Sequence, residues 1–374
     1  MSTSLDTLPV SWIRPVSDGS GVTFRMYPSA ARVQWLFPAT GFPAQRFLRL
    51  IRPYSLPARW LKALAERGWY GGGSVDLEPD RLADWYRRVF GGTLTLADVA
   101  IYLGAEGALR KVVLAGTDRR SGGALRFVKI AETRPARAVL RHEAAMLRRL
   151  NERPDLCGMI PEVIESGEHD GCVFLVTKAG PLTPGGPGFS PEHWRFLTRI
   201  QKHTATQAAL SDSPFWHALR QRLAVFRGQV AEPWMRWLNA AETVLLARAA
   251  DSRFTFCLVH GDFVPWNISW GEKGIYVYDW ELAADGFPRW FDVFHFHVMR
   301  RILLGGAPPW AEVLRWHARL QWAVSLPQLR WCYLLYLVEK TLHFAEAWRL
   351  APEKGSNRVL RWMTQELRRE VLAA

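Results

Sequence analysis

The sequence predicts an α+β chain of two lobes: a small antiparallel β lobe carrying one helix, then a large, mainly helical lobe, all preceded by an N-terminal extension. Three observations carry this. The chain has 374 residues, more than one ordinary domain and suited to two cores. Short apolar runs separated by Gly-bearing turns cluster between about residues 99 and 178, as antiparallel hairpins require. Beyond the Pro/Gly-rich stretch PLTPGGPG, residues 181–188, nearly every segment has helical spacing.

Residues 1–95 form the extension, with mixed short patterns and Pro/Gly punctuation such as ATGFP and WYGGGS. Two helices stand out in it. In SLPARWLKALAERG, Ser55 is a candidate cap, Pro57 suits a first turn and Gly68 can stop the helix. In EPDRLADWYRRVFGG, Leu82, Trp85, Tyr86, Val89 and Phe90 recur at helical spacing. From Arg46 to Arg67 six basic residues face one acid, Glu66, interleaved with Phe47, Ile51 and Trp60. Such a stretch is most often a solvated helix face, but it also suits an anionic bilayer surface.

Residues 96–180 read as the first lobe. VAIYLG, LRKVVLAG and ALRFVKI are strands, separated by GAEG at 104–107 and GTDRRSGG at 116–123. RPARAVLRHEAAMLRRL follows as a helix, and PEVIESGEHDGCVFLVTKAGP as two more strands. Residues 181–374 read as the helical lobe, interrupted by the strand FCLVHGDF and the hairpin WNISWGEKGIYVYDWE, whose turn is GEKG. No internal repeat is evident.

Composition narrows the function. Hydrophobic residues at 49% and charged residues at 22% are globular values. A net charge of +13 points toward an anionic partner such as a nucleotide, nucleic acid, phosphorylated metabolite or lipid surface. Cys157, Cys172, Cys257 and Cys332 are scattered without metal-finger spacing, so neither a zinc module nor a disulfide framework is indicated. The start, MSTSLDTLPVSW, lacks a signal-peptide profile, and the longest apolar runs, such as WCYLLYLV at 331–338, fall far short of a membrane span. A cytoplasmic protein is expected, peripheral on the inner face of the membrane if the basic stretch engages lipid.

The chemistry concentrates in LVHGDFVPWNI and VYDWE. An Asp-x-x-x-x-Asn spacing leaving a strand, followed by a hairpin that ends in a second Asp, offers three oxygen-bearing side chains to one crevice. Mg²⁺ accepts carboxylate and amide oxygens and leaves positions for phosphate and water. Asn267 and Asp279 suit that task, and Asp262 remains free to take a hydroxyl proton. A transferring phosphoryl group also needs a cation. Lys129, in the strand RFVKI, supplies an ammonium, and Glu143 on the next helix can pair with it. The turn bearing Gly104 and Gly107 suits backbone N–H groups lying over phosphates.

HGDFVPWN together with VYDWE resembles the H-G-D-x-x-x-x-N and D-W-E motifs of the aminoglycoside phosphotransferase and choline kinase families, relatives of the protein kinases. The likeness covers about residues 99–345 in element order, and the two-part motif is specific. YLGAEGALRKVVL and DGFPRWFDVFHF look, less specifically, like uncharacterised phosphotransferases of bacterial surface-polysaccharide gene clusters. The resemblance implies a bilobal protein-kinase-like fold that uses ATP and Mg²⁺. It makes Asp262 the catalytic base, Asn267 and Asp279 the metal ligands, and Lys129 the phosphate-binding lysine with Glu143 as partner. His260 and Asp292 become structural supports of the loop. The segment around Val176 to Ala179, which includes Lys178, takes the hinge position where backbone groups meet adenine.

Departures limit the carry-over. The turn is G-A-E-G rather than G-x-G-x-x-G, and the metal motif is not D-F-G. No activation segment fits between Asp279 and Asp292 and no A-P-E follows, which argues against a protein substrate. In DVFHFHVMR, His295 lies one helical turn from Asp292 while His297 is turned away, so packing and hydrogen bonding are favoured over metal binding. Glu281 is expected to be structural, and most of the tryptophans to be core.

The resulting expectation is a small-molecule kinase whose acceptor carries a hydroxyl, with a sugar or lipid-linked saccharide favoured because a polycationic acceptor suits a +13 chain poorly. An aminoglycoside or amino-alcohol kinase is the alternative, and a catalytically silent nucleotide-binding scaffold the alternative of another class. No nucleic-acid partner is expected.

Overall fold

The structure is a computed structural model. It describes residues 13, 15–16, 20–28, 33–39, 48, 51, 56–67, 73–90, 98–104, 107–117, 124–181, 183–227, 233–350 and 358–374. The strands are β1 (Val22–Tyr27), β2 (Trp35–Pro38), β3 (Ser74–Leu77), β4 (Val99–Tyr102), β5 (Val112–Thr117), β6 (Ala124–Ala131), β7 (Val163–His169), β8 (Cys172–Lys178), β9 (Thr206–Ala209), β10 (Arg253–Val259), β11 (Ile268–Gly271), β12 (Gly274–Val277) and β13 (Ala284–Pro288). The helices are α1 (Leu56–Glu66), α2 (Pro79–Phe90), α3 (Arg134–Asn151), α4 (Pro191–Gln201), α5 (Pro214–Arg227), α6 (Pro233–Arg248), α7 (Phe291–Leu304), α8 (Pro309–Leu320), α9 (Leu326–Leu350) and α10 (Arg358–Ala373). The chain forms two compact units, Met1–Pro184 with Ser269–Glu281, and Gly185–Ile268 with Leu282–Ala374.

The first unit is built on an eight-stranded antiparallel sheet of order β3-β1-β2-β4-β5-β6-β8-β7. The sheet runs on across the boundary expected near residue 95. Strand β2 pairs with β4 through Trp35 opposite Tyr102 and Leu36 opposite Ile101. On one face, Phe24, Leu36, Ile101, Leu114, Val128, Ile130 and Phe174 form one buried cluster with Trp85, Tyr86, Val89 and Phe90 of α2. Residues 1–95 therefore supply strands and a covering helix to the same core. Their role was illegible in sequence because WLFP and SVDL are only four residues long, and a strand that short is specified mainly by its neighbours.

Strand alternation places Lys129 on the face opposite Val128 and Ile130. Helix α3 packs on that face. Thr133 caps it by accepting from the Ala136 amide at 3.3 Å, and its buried stripe runs Ala136, Leu140, Glu143, Ala144, Leu147, Leu150. Glu143 is the one charged member of that stripe.

In the second unit β10 is the centre of a three-stranded sheet, β13-β10-β9, antiparallel on both sides. The expected lobe contained β10 but neither partner. Strands β9 (TQAA) and β13 (ADGFP) lack β-branched alternation, so only pairing with β10 reveals them. Helix α7 is buried from Phe291 to Met299, and α9 is buried from Cys332 to Leu342. The four cysteines are free. Among the described residues no helix is long and apolar enough to cross a membrane. Of the basic stretch 46–67, Arg46, Arg49 and Arg52 lie outside the described residues, as do Glu106 of the Gly-bearing turn and residues 118–123 of the next.

Trp85 is 1% exposed, with its ring edge-on to Phe174 at 6.1 Å between centroids. Trp85→Ala is expected to destabilise the first unit by about 3–5 kcal/mol, read as a lower urea midpoint. An unchanged midpoint would mean that the N-terminal segment is not part of this core.

Candidate active site

Within the first unit two lysines and three carboxylates come together. Lys129 Nζ lies 2.6 Å from Glu143 Oε1 and 2.7 Å from Asp279 Oδ1, donating to both. Burial alone would lower the pKa of this ammonium, but the charges of Asp279 and Glu143 outweigh it and leave the pKa raised. On β5 and its approach, Val113 sits opposite Lys129; two residues earlier on the same face, Lys111 pairs with Glu281. Burial and then the neighbouring Lys129 push the Lys111 pKa down. Glu143, Asp279 and Glu281 present carboxylate oxygens within 4.8 Å of one another. Asp279 follows β12 in a left-handed conformation, φ 64°, a region that Asp tolerates better than most residues and that is common at functional sites.

The Gly-bearing turn precedes β5. Gly104 has φ 71°, and a Cβ there would stand 2.2 Å from the Lys111 carbonyl oxygen, so only glycine fits. Gly107 also has positive φ, 143°. Arg110 Nε donates to the Leu103 carbonyl at 2.7 Å and closes the turn.

The second unit carries the loop that leaves β10. Asp292, in the first turn of α7, is fully buried, and its two oxygens accept the amides of His260 at 2.8 Å and Gly261 at 3.0 Å. Burial raises its pKa, against the pull of those contacts. Lys340 of α9 donates to the Gly261 carbonyl at 3.1 Å, so Gly261 is held at both its amide and its carbonyl. His260 is buried, and its Nδ1 accepts the Asp262 amide at 3.3 Å.

Asp262 is thereby fixed at the backbone, and its carboxylate is fixed as well. Oδ1 contacts His295 Nε2 at 3.0 Å, and Oδ2 accepts from Asn267 Nδ2 at 2.9 Å. Asn267 Nδ2 also donates to the Asp262 carbonyl at 3.0 Å. Burial would raise the Asp262 pKa, yet the hydrogen bond from His295 Nε2 and the positive charge of Lys340 hold it at about 2. The carboxylate is therefore ionised at neutral pH, with 29% of the side chain still exposed.

Of the residues singled out in sequence, Lys129, Glu143 and Asp279 meet in one unit, and His260, Asp262, Asn267 and Asp292 meet in the other. Val176 lies within the ladder, flanked by β6 and β7, with its side chain in the core. Lys178 ends β8 and pairs at the surface with Glu162, 3.7 Å away. Five members of these clusters were not singled out as site residues: Lys111, Glu281, His295, Tyr336 and Lys340. The i, i+3 spacing of Asp292 and His295 and the i, i+4 spacing of Tyr336 and Lys340 were visible signals. His297, as expected, faces away, against Phe189 at 5.3 Å. Burial lowers its pKa to about 3.

The model of the phosphotransferase enzyme family (APH) matches residues 105–315, more than half of the chain, and the chain belongs to that family. It is a phosphotransferase of the small-molecule kinase class. Among solved structures, choline kinase LicA from Streptococcus pneumoniae shares 13% identity over 79% of this chain and 100% of its own, with a TM-score of 0.54. Aminoglycoside phosphotransferase APH(4)-Ia shares 16% over 78% of this chain and 98% of its own, TM-score 0.53. A thermostable mutant of that enzyme, in ternary complex with ADP and hygromycin B, shares 16% over the same shares of the two chains, TM-score 0.52. At such identities the likeness establishes the fold, the bilobal protein-kinase-like α+β fold. No curated protein matches the sequence.

Gly261 has φ 81°, and a Cβ would meet the Leu282 carbonyl oxygen at 2.2 Å, whereas Gly286, φ 75°, has nothing within 4 Å. Gly286→Ala is expected to cost about 1 kcal/mol from backbone strain alone, and Gly261→Ala at least about 2 kcal/mol more than that. Paired denaturant titrations check the difference, and equal costs would mean that the loop is not clamped as described.

Proposed function

We propose that the protein transfers the γ-phosphoryl group of ATP to a hydroxyl of a small molecule, in a Mg²⁺-dependent reaction. The observation that carries the proposal is the state of Asp262: an ionised, partly exposed carboxylate whose orientation is fixed from both sides. A general base needs that combination of correct protonation state and fixed geometry. The acceptor oxygen attacks the γ-phosphorus, its O–H proton passes to the Asp262 carboxylate, and the bond to the bridging oxygen of ADP breaks. A base of low pKa takes that proton late, as bonding to phosphorus develops, which suits a loose phosphoryl-transfer transition state.

Lys129 is assigned to the α- and β-phosphates, aimed by Glu143. The backbone around Gly104 and Gly107 is assigned to covering the phosphates, and the segment ending β8, Val176 to Ala179, to the adenine. A divalent cation suits the donor set. Three carboxylates, Glu143, Asp279 and Glu281, stand against two ammonium groups in one cluster. Asn267 donates through Nδ2, leaving its amide oxygen as a further hard ligand. Asp279 and Asn267 would hold Mg²⁺, which supplies charge neutralisation for the phosphates.

For the acceptor we favour a sugar or lipid-linked saccharide, because the +13 net charge suits an anionic or neutral substrate better than a polycation. The names of the similar structures, choline kinase and aminoglycoside phosphotransferase, support an amino-alcohol or aminoglycoside as the second reading. A silent scaffold is disfavoured because none of the expected catalytic positions is substituted.

Asp262→Ala is expected to lower turnover by about 100- to 10,000-fold while nucleotide binding persists. The assay is a phosphate-transfer screen over sugars, nucleoside-diphosphate sugars, aminoglycosides and amino alcohols, with mass detection. Full activity in the variant would remove the proposed base, and tight nucleotide binding by the wild type with no turnover across the screen would favour the scaffold. Helix α1 exposes 69% of Trp60 and 37% of Leu64, with Arg67 exposed just beyond its end, which supports contact with an anionic membrane surface. Co-sedimentation with phosphatidylserine liposomes at low salt, reduced in Trp60→Ala, is the expected result; no sedimentation of the wild type would reject that contact.

A further inference from the structure

We propose that His295 is a positioning residue for the catalytic base: a neutral imidazole locked by Tyr336 in its Nε2–H tautomer, which fixes the plane of the Asp262 carboxylate. The proposal rests on the reading of Asp262 as that base. His295 lies on α7, one turn after Asp292, and Tyr336 lies on α9. The chain of contacts is Tyr336 Oη to His295 Nδ1 at 3.1 Å, then His295 Nε2 to Asp262 Oδ1 at 3.0 Å.

Hydrogen-bond bookkeeping fixes the protons along this chain. The ionised Asp262 carboxylate only accepts, so Nε2 must carry a hydrogen. His295 is 3% exposed; burial lowers its pKa despite the adjacent Asp262, and the ring is neutral. Nδ1 therefore has a bare lone pair and must accept. Tyr336 is buried, with a phenol pKa raised well above its usual value by burial and by the carboxylates of Glu339, Asp262 and Asp292. Its hydroxyl keeps its proton and donates it to Nδ1. The opposite tautomer would turn the Nε2 lone pair toward the carboxylate and the Nδ1 hydrogen toward Tyr336, losing the bond to Asp262.

The consequence is steric as well as electrostatic. Asn267 holds Oδ2 and His295 holds Oδ1, so the carboxylate cannot rotate about its Cβ–Cγ bond without breaking one of the two. Its remaining lone pairs are left for the incoming hydroxyl. Removing His295 leaves the carboxylate plane held by Asn267 alone of this pair, and a base misplaced by about 1 Å costs on the order of 100-fold in rate.

The test uses the full chain, with Mg²⁺, ATP and water as the acceptor, so that no natural substrate is needed, together with ¹⁵N spectra of histidine-labelled protein. The wild type should show His295 protonated at Nε2 and bare at Nδ1. His295→Leu should lower kcat for ATP hydrolysis by about 10- to 100-fold with KM for ATP within about twofold. His295→Gln, whose amide can donate from a similar place, should recover most of the loss. Tyr336→Phe should lower kcat by about three- to tenfold, as loss of one hydrogen bond implies, and release a mixture of tautomers. That variant and the spectra decide the matter if His295→Leu does not fold.

An Nδ1–H tautomer in the wild type, or wild-type kcat in a folded His295→Leu, overturns the proposal. Asp262→Asn is measured alongside. Its retaining full hydrolysis would remove the base itself, whereas loss of hydrolysis in Asp262→Asn with none in His295→Leu would overturn the positioning role alone.

Discussion

A single buried carboxylate organises the second unit. Asp292 has no solvent to stabilise its charge, and isolated burial of that kind costs far more than a fold can sustain. It is tolerated because its two oxygens take the amides of His260 and Gly261, which otherwise would have no strand partner as the chain leaves β10. The carboxylate and the turn thus stabilise each other. Gly261 adopts a conformation that no other residue accepts at that spot, and Lys340 takes the carbonyl that the same turn exposes. Asp262, the next residue, inherits its position from these contacts.

The first unit uses the opposite arrangement, a half-buried ammonium flanked by two carboxylates. Lys129 is reached by Glu143 from a helix and by Asp279 from the end of a hairpin. These two acids are far apart in sequence and each would be costly to bury alone. Lys111 and Glu281 repeat the pairing nearby. With three carboxylates against two ammonium groups, the cluster carries surplus negative charge. A divalent cation accompanying phosphates would offset that surplus, whereas bare phosphate would compete with the carboxylates already seated on Lys129.

Residues 1–95 show how a family fold can be enlarged without a separate domain. Edge strands carry unpaired backbone groups that invite further pairing. Here β2 takes that edge at β4, β1 and β3 continue the ladder, and α2 covers the face they share. The extension is therefore a continuation of the sheet that carries Lys129, and its apolar residues contribute to the same core. The large positive net charge, by contrast, is not concentrated at the site, where acids outnumber lysines in the first unit.

The sequence alone determined the elements that carry the candidate residues and the class of chemistry they point to. Alternation in RFVKI, the helical stripe in RHEAAML and the spacing in HGDFVPWN and VYDWE are local properties, set by strand and helix periods of two and 3.6 residues, so these strands and this helix could be read directly, with Lys129, Glu143, Asp262, Asn267 and Asp279 as candidates on them. Tertiary structure decided what depends on partners remote in the chain. Strands β9 and β13 exist because β10 offers them an edge, and β1 to β3 because β4 does. Lys111 with Glu281, and His295 with Tyr336 and Lys340, acquire meaning only when elements 40 to 170 residues apart are packed together. A spacing rule sees one element at a time, whereas burial makes a charged or polar group depend on whichever neighbour, however distant in sequence, completes its hydrogen bonds.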